Sequence, residues 1–341
     1  MLSSSTDGAR PETDSAMYRK LLDRTVVEVS GPDATHFLQG IVTNDVSKLE
    51  NEGEAQYAAF LNNKGRMVAE TIIHRAAEDA YLLDLHQDVV NKVLKLLKMF
   101  KLRSKVSIED AKGRYNVWAI MGGDEETKAG LNDIHAGAVI ADPRDASLGY
   151  RVVASAKHEE ATRKVLEKLG LKESSGHFYD QFRYLCGIPE GLEVDGGIPL
   201  EYNLEKLNGV NFHKGCYTGQ ELVARTHHKG LVRKRVVPLT IGEHTVQERG
   251  ILEGVKLGGA PQGLELEIPS PVEWGKDAPE PESKRSPGKL IAFSSDASIG
   301  LAVMRLEDDA ETKWLQDGIF QVNGHAAQVP KFPSWWNKVV E

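Results

Sequence analysis

Residues 212–230 read FHKGCYTGQELVARTHHKG, and they hold one of the chain's two cysteines, Cys216. Lys214, Tyr217, Gln220, Glu221 and the glycines Gly215 and Gly219 surround it. TGQE at 218–221 has the spacing of a capping box. Thr218 would accept from the backbone N–H of Glu221, and Glu221 would reach back to the N–H of Thr218. The spacing predicts a short helix opening at GQELVART, with Cys216 just before its cap. A thiol near a helix N-terminus meets partial positive charge, and Lys214 and His213 would add to it. Both effects favour the thiolate, the form that attacks electrophiles and ligates iron. Gly215 and Gly219 would allow tight backbone geometry on either side. A buried structural thiol on a turn is the competing reading, and spacing alone does not separate the two.

Further along, Arg225, Lys229, Arg233, Lys234 and Arg235 follow in close succession, joined by His227 and His228. In an acidic chain such a cluster suits a polyanionic ligand or an acidic protein surface. Its alternative is a solvated strand edge, because edge lysines block aggregation. Adjacent histidines on a helix point about 100° apart and rarely share one ion, so a metal reading of His227 and His228 is set aside. No phosphate loop, dinucleotide fingerprint or HExxH motif occurs.

The chain has 341 residues, 40% hydrophobic and 27% charged, which suits a soluble globular protein of two domains, or of one large domain with an appendage. Its net charge of −8 argues against nucleic acid as a partner. No apolar run approaches the ~18–20 residues of a membrane helix, and no membrane partner is expected. Two cysteines cannot build a disulfide framework, which points to a reducing compartment. Nor do Cys186 and Cys216 complete a four-ligand zinc site. A metal on Cys216 needs ligands from elsewhere, such as a second protein.

Residues 1–16 read as a disordered leader, and their acids do not suit a transit peptide. LLDRTVVEVSGPDATHFLQGIVTND predicts a strand and a short helix, and AQYAAFLNNKGRMVAETIIHRA predicts two strands around NNKG. In DVVNKVLKLLKMFKLRSKV, Val89, Val93, Leu97 and Phe100 recur at helical spacing, and Lys92, Lys95 and Lys98 read as a solvated face. Cys186, in FYDQFRYLCGIPEG, falls on the inner side of a helix as a small core residue. Residues 17–230 therefore read as an α+β domain and 231–341 as a small β-barrel or sandwich. The Pro-, Gly- and charge-rich span 258–289 reads as one long exposed loop.

Several segments, in order, resemble the YgfZ/GcvT-like, folate-binding family: FLQGIVTND (37–45), FLNNKGRM (60–67), RYLCGIPEG (183–191) and KGCYTGQE (214–221). ARTHHKGLVRKR (224–235) looks like the eukaryotic, mitochondrial branch, whose members are assembly factors for iron–sulfur clusters. The resemblance implies the aminomethyltransferase fold, a ring of α+β subdomains around a central pocket closed by a C-terminal β-barrel. It implies a tetrahydrofolate-type pocket that would include Asn62, Lys64, Arg66 and Gln220. It further implies work in the mitochondrial matrix on four-iron clusters beside A-type carrier proteins. Cys216 would be a ligand of a two-iron cluster shared with the carrier, and Arg225, Lys229, Arg233 and Arg235 would dock the partner. The chain departs from the transferase pattern at one place. Aligning LLD (82–84) with the enzyme's motif puts Asn91 at the position of its catalytic acid, and Asp88 would point elsewhere. An amide neither takes up a proton nor stabilises a cationic intermediate as a carboxylate does, so the resemblance implies an assembly factor before an enzyme. A folate-dependent one-carbon transferase and a pure docking scaffold are the other readings.

Overall fold

The structure, a computed structural model, describes residues 16–134, 136–174, 177–228, 232–242, 271–274, 286–294, 298–306, 320–322, 325–330 and 332–337. Strand β1 (Met17–Lys20) leads into β2 (Arg24–Ser30), whose valines suit a pleat buried on both faces. Gly31 turns the chain into helix α1 (Ala34–Gln39); a Cβ there would meet the Lys105 carbonyl at 2.4 Å. Strands β3 (Ala55–Leu61) and β4 (Met67–Ala77) form the hairpin expected around NNKG, and β5 (Ala80–His86) follows. Helix α2 (Val90–Lys101) and strand β6 (Ser107–Asp110) complete the first unit. Its antiparallel sheet has the order β3-β4-β5-β2-β6. Phe37 and Leu38 of α1 and Val93 and Leu97 of α2 pack on one face, against Val27, Phe60, Ile73 and Leu83. The helix buries Val90 and Leu96 as well, while Phe100 is only half-buried, so the apolar stripe is rotated slightly from the expected one.

The second unit contains β7 (Tyr115–Met121), α3 (Glu125–Leu131), β8 (Ala136–Ala141), β9 (Tyr150–Ser155), α4 (Glu159–Lys168) and β10 (Lys172–Glu173). Its sheet has the order β10-β1-β7-β9-β8. Helix α5 (Phe178–Leu185) ends at Cys186, which is buried as expected, and burial pushes its thiol up to about 12. Helix α6 (Gln220–His228) precedes the C-terminal strands β11 (Lys234–Ile241), β12 (Pro271–Trp274), β13 (Gly288–Ser294), β14 (Ile299–Arg305), β15 (Phe320–Val322) and β16 (His325–Gln328). These six close into a barrel, which decides between barrel and sandwich. Strand β12 lies inside the span read as one long loop; it is held by β13 on one side and β15 on the other, pairing that a four-residue run cannot announce by its own period. Residues 258–270 and 275–285 of that span, and residues 1–15 of the expected leader, lie outside the described residues.

One core runs through both sheets and the barrel, joining Val26 and Ile72 to Val117 and Val153 and to Phe182, Val237, Met304 and Phe320. Beside it lies a buried charge cluster. Arg24 of β2 donates to Asp84 of β5 at 2.7 Å, and Arg151 of β9 donates to Glu190 at 3.1 Å. Arg144, paired to Asp142 at 2.6 Å, also donates to Glu190, which accepts from the Tyr179 hydroxyl at 2.5 Å. Arg24 reaches Glu190 at 3.6 Å. Burial raises the Glu190 carboxyl, but Arg144, Arg151 and Arg24 outweigh it and hold it well below the usual carboxylate range. Replacing Glu190 by Gln keeps its shape and leaves buried guanidinium groups short of a counter-charge. Glu190→Gln is expected to lose about 3–5 kcal/mol of stability, read from urea unfolding.

His74 of β4 is fully buried beside this cluster, and neither ring nitrogen has a hydrogen-bond partner among the described residues. Burial lowers its pKa to about 4, with Asp84 acting in the opposite direction. The folded chain thus keeps His74 neutral where the unfolded chain binds a proton. Stability is expected to fall by up to about 3 kcal/mol as pH drops from about 6.5 to about 4. His74→Gln should flatten that slope in unfolding curves taken across the window.

Candidate functional site

The segment 208–221 crosses the end of α1 and the β3–β4 turn, and its anchors are polar. Thr43 donates through its hydroxyl to the Gly209 carbonyl at 2.6 Å and accepts from the Ala59 N–H at 2.9 Å. The Asn44 amide donates to the carbonyls of Tyr57 and Asn208 at 2.8 and 2.7 Å. The Lys214 ammonium donates to the carbonyls of Gln39, Val42 and Asn44, each at 2.7 Å. Its three N–H groups are therefore committed, and it also lies 4.9 Å from the Tyr217 ring centroid. Burial lowers the Lys214 ammonium to about 8, against Asp45, which raises it. Burial likewise pushes the Tyr217 phenol up to about 12.

Lys214 is therefore the anchor of the loop. Its donors face the end of α1 and the residues just after it. The expected Thr218–Glu221 capping box is corrected. The helix begins at Gln220, so Thr218 sits one residue too early to cap it. Its N–H donates to the Gly40 carbonyl at 3.1 Å, while the Gln220 side chain accepts from the Tyr217 N–H at 3.0 Å. Glu221 is exposed. His213 is exposed, with its N–H held by Asn211 at 2.8 Å. His227 is stacked on Phe212 with ring centroids 3.7 Å apart.

Cys216 is exposed, so it is no buried structural thiol. The described residues hold no group of three or more His, Cys, Asp or Glu side chains placed for a metal ion. Among the described residues, Cys216 is thus not part of a set of three or more potential metal ligands.

The glycines differ. Gly219 has φ +80°, and a Cβ there would meet the Asn62 carbonyl at 2.5 Å. Gly65 has φ +74°, and its Cβ would meet Leu222 at 2.5 Å and the Gly219 carbonyl at 2.8 Å. The N-terminus of α6 therefore sits directly on the KGR turn, and the two glycines make the approach possible. At Gly215 nothing lies within 4 Å of a built Cβ, so the expected tight geometry holds for Gly219 and not for Gly215.

Asn62 accepts from the N–H groups of Lys64 and Arg66 at 2.9 and 3.1 Å, and Arg66 donates to the Gly196 carbonyl at 2.9 Å. Of the residues expected in a folate pocket, Asn62 and Gln220 thus spend their side-chain carbonyls on local turns. Lys64 is exposed at the turn. Asn91 is exposed on α2, and Asp84 belongs to the buried charge cluster. Of the expected docking residues, Arg225 and Arg233 are exposed and Lys229 lies outside the described residues. Arg235 is corrected: it is buried, donates to the Leu200 carbonyl at 2.9 Å and pairs with Glu205, tying the 200–205 segment to the barrel. Sequence reasoning gave no role to Thr43 and Asn44. Their signal was the run of small polar residues that ends FLQGIVTND. Gly219→Ala is expected to cost roughly 1–3 kcal/mol in thermal or urea unfolding, whereas Gly215→Ala stays within about 0.5 kcal/mol of the native chain.

A family model, the GCVT N-terminal domain, matches residues 23–127. An iron–sulfur cluster assembly factor IBA57 homolog, mitochondrial, from Mycosarcoma maydis is 32% identical, over 98% of this chain and 88% of the relative. The mitochondrial assembly factors IBA57 of Mus musculus and Homo sapiens are 36% and 37% identical, over 93% and 70% of this chain and 84% and 70% of theirs. Among solved structures, the glycine cleavage system aminomethyltransferase T from Bartonella henselae aligns with a TM-score of 0.67, over 95% of this chain and 87% of that one. Its identity of 14% makes this a likeness of fold alone, and it agrees with the aminomethyltransferase-like architecture expected from the motifs.

Proposed function

The chain belongs to the family of mitochondrial iron–sulfur cluster assembly factors IBA57, and from that premise we propose that it acts in the maturation of four-iron clusters together with A-type carrier proteins. In this reading the cluster is cargo. Cys216 gives one thiolate to a two-iron cluster, and the carrier gives the rest. The observation that carries the reading is the exposure of Cys216 on a loop fixed at both ends, with no co-ligand cluster among the described residues. Iron–sulfur clusters are held by several thiolates, so a site with one must be completed across an interface. The open space around Gly215 supports the close approach that this requires. Arg225 and Arg233 add exposed cations for an acidic protein surface.

The aminomethyltransferase-like fold then acts as a frame for the loop. Folate-dependent transfer has less support, because Asn91 is an amide and lies exposed on α2.

Mixing the protein anaerobically with an A-type carrier, iron and sulfide tests the proposal. A coloured heterodimer, seen in visible absorption and native mass, is expected with the native chain and not with Cys216→Ser. Equal formation by both chains would remove Cys216 as a ligand and leave the loop a docking element.

A further inference from the structure

Helix α2 has a second face that the first unit does not use. No acidic residue occurs between Asp88 and Glu109, while Lys92, Lys95, Lys98, Lys101, Arg103 and Lys105 all fall there. Lys92 is paired to Asp195 at 2.5 Å, and the Lys105 backbone N–H donates to Asp33. The side chains of Lys95, Lys98, Lys101, Arg103 and Lys105 have no hydrogen bond or ion pair among the described residues. Lysines in a last turn also favour the helix dipole, which by itself needs no ligand.

The apolar residues between them need more. The described residues include four exposed large hydrophobic side chains, and two of them, Met99 and Leu102, are 63% and 87% exposed at this one helix end. Lys95, Lys98 and Met99 stand at i, i+3 and i+4, which is one face of the helix, and exposed Leu102 follows just past its end. This face lies away from the buried face of Val90, Val93, Leu96 and Leu97. Leu102 holds φ +41° just past the last turn, a backbone conformation that favours Gly. A bulky leucine is thus kept in an unfavourable conformation and points its side chain into water.

We propose that this end of α2, Lys95 to Lys105, docks on an anionic lipid bilayer, with Met99 and Leu102 entering the interface between the flanking cations. The patch is a projecting helix end and not a groove. Protruding apolar side chains ringed by cations suit a deformable anionic surface, the pattern of interfacial membrane binding. A protein partner would need a matching apolar pocket with an acidic rim. No helix among the described residues is long and apolar enough to cross a membrane, but a surface contact needs no span. Charge complementarity survives the net −8 because the segment itself holds no acid, and Asp33, the carboxylate at its Lys105 end, is engaged by the Lys105 backbone N–H.

The test is co-sedimentation of the full chain with phosphatidylcholine vesicles, with and without phosphatidylglycerol, at low and high salt. Pelleting is expected only with phosphatidylglycerol, and it should weaken as salt rises. Lys98→Glu with Lys101→Glu should lower the apparent affinity by about 25-fold or more, at about fivefold per cation lost. Leu102→Ser should weaken it several-fold, and Lys164→Glu on α4 should leave it unchanged. All variants are at exposed or half-buried positions, and unchanged melting curves confirm their folding. Pelleting with neutral vesicles alone, or indifference to both α2 variants, overturns the proposal. So does the absence of pelleting combined with Lys98-dependent retention on immobilised polyglutamate, which would assign the patch to an acidic protein.

Discussion

Glu190 brings a single carboxylate to the place where guanidinium groups from different parts of the chain meet. Arg24 comes from the first sheet, Arg151 from the second, and Arg144 from the loop after β8. All of these groups are buried. A buried charge pair is weak evidence of net stability, because burial opposes each partner. It does fix geometry, since any sliding of one sheet past the other separates charges in a medium that screens them poorly. The relative placement of β2, β5 and β9, and through them of the α1 end and the KGR turn, therefore depends on this cluster.

Much of the first unit was readable from sequence because its signals are local. The valines of β2, the NNKG turn and the helical period of α2 each lie within one short window. Strand β1 was not readable, since four residues gain strand character only by pairing with β7, some hundred positions later. The same holds for β12, hidden in a Pro- and Gly-rich span, and for the two-residue β10. The α+β class and a strand-built C-terminal unit followed from the pattern of elements without these pieces, whereas closure into a barrel and not a sandwich did not.

The site was readable in parts. Motif spacing picked out Cys216, Gly219 and Lys214, but spacing carries no direction. It could not show that Lys214 turns toward carbonyls at and just after the end of α1, nor that the helix starts one residue later than the capping box requires. Charge misled most. Arg24, Arg144, Arg151 and Arg235 look like any surface arginine in sequence, and all four are buried against carboxylates. Only the fold brings their partners, distant in the chain, within reach.

The contact of Gly65 with Gly219 has a consequence for association. The cysteine loop is seated on a hairpin turn that is itself part of a five-stranded sheet, so its ordering entropy is lost during folding and not again when a partner arrives. If the proposed docking occurs at this loop, it would be close to rigid-body association. Changes that loosen the hairpin should shorten the lifetime of a complex more than they slow its formation. A substitution in the turn, far from the thiol in sequence, would thus register as faster dissociation.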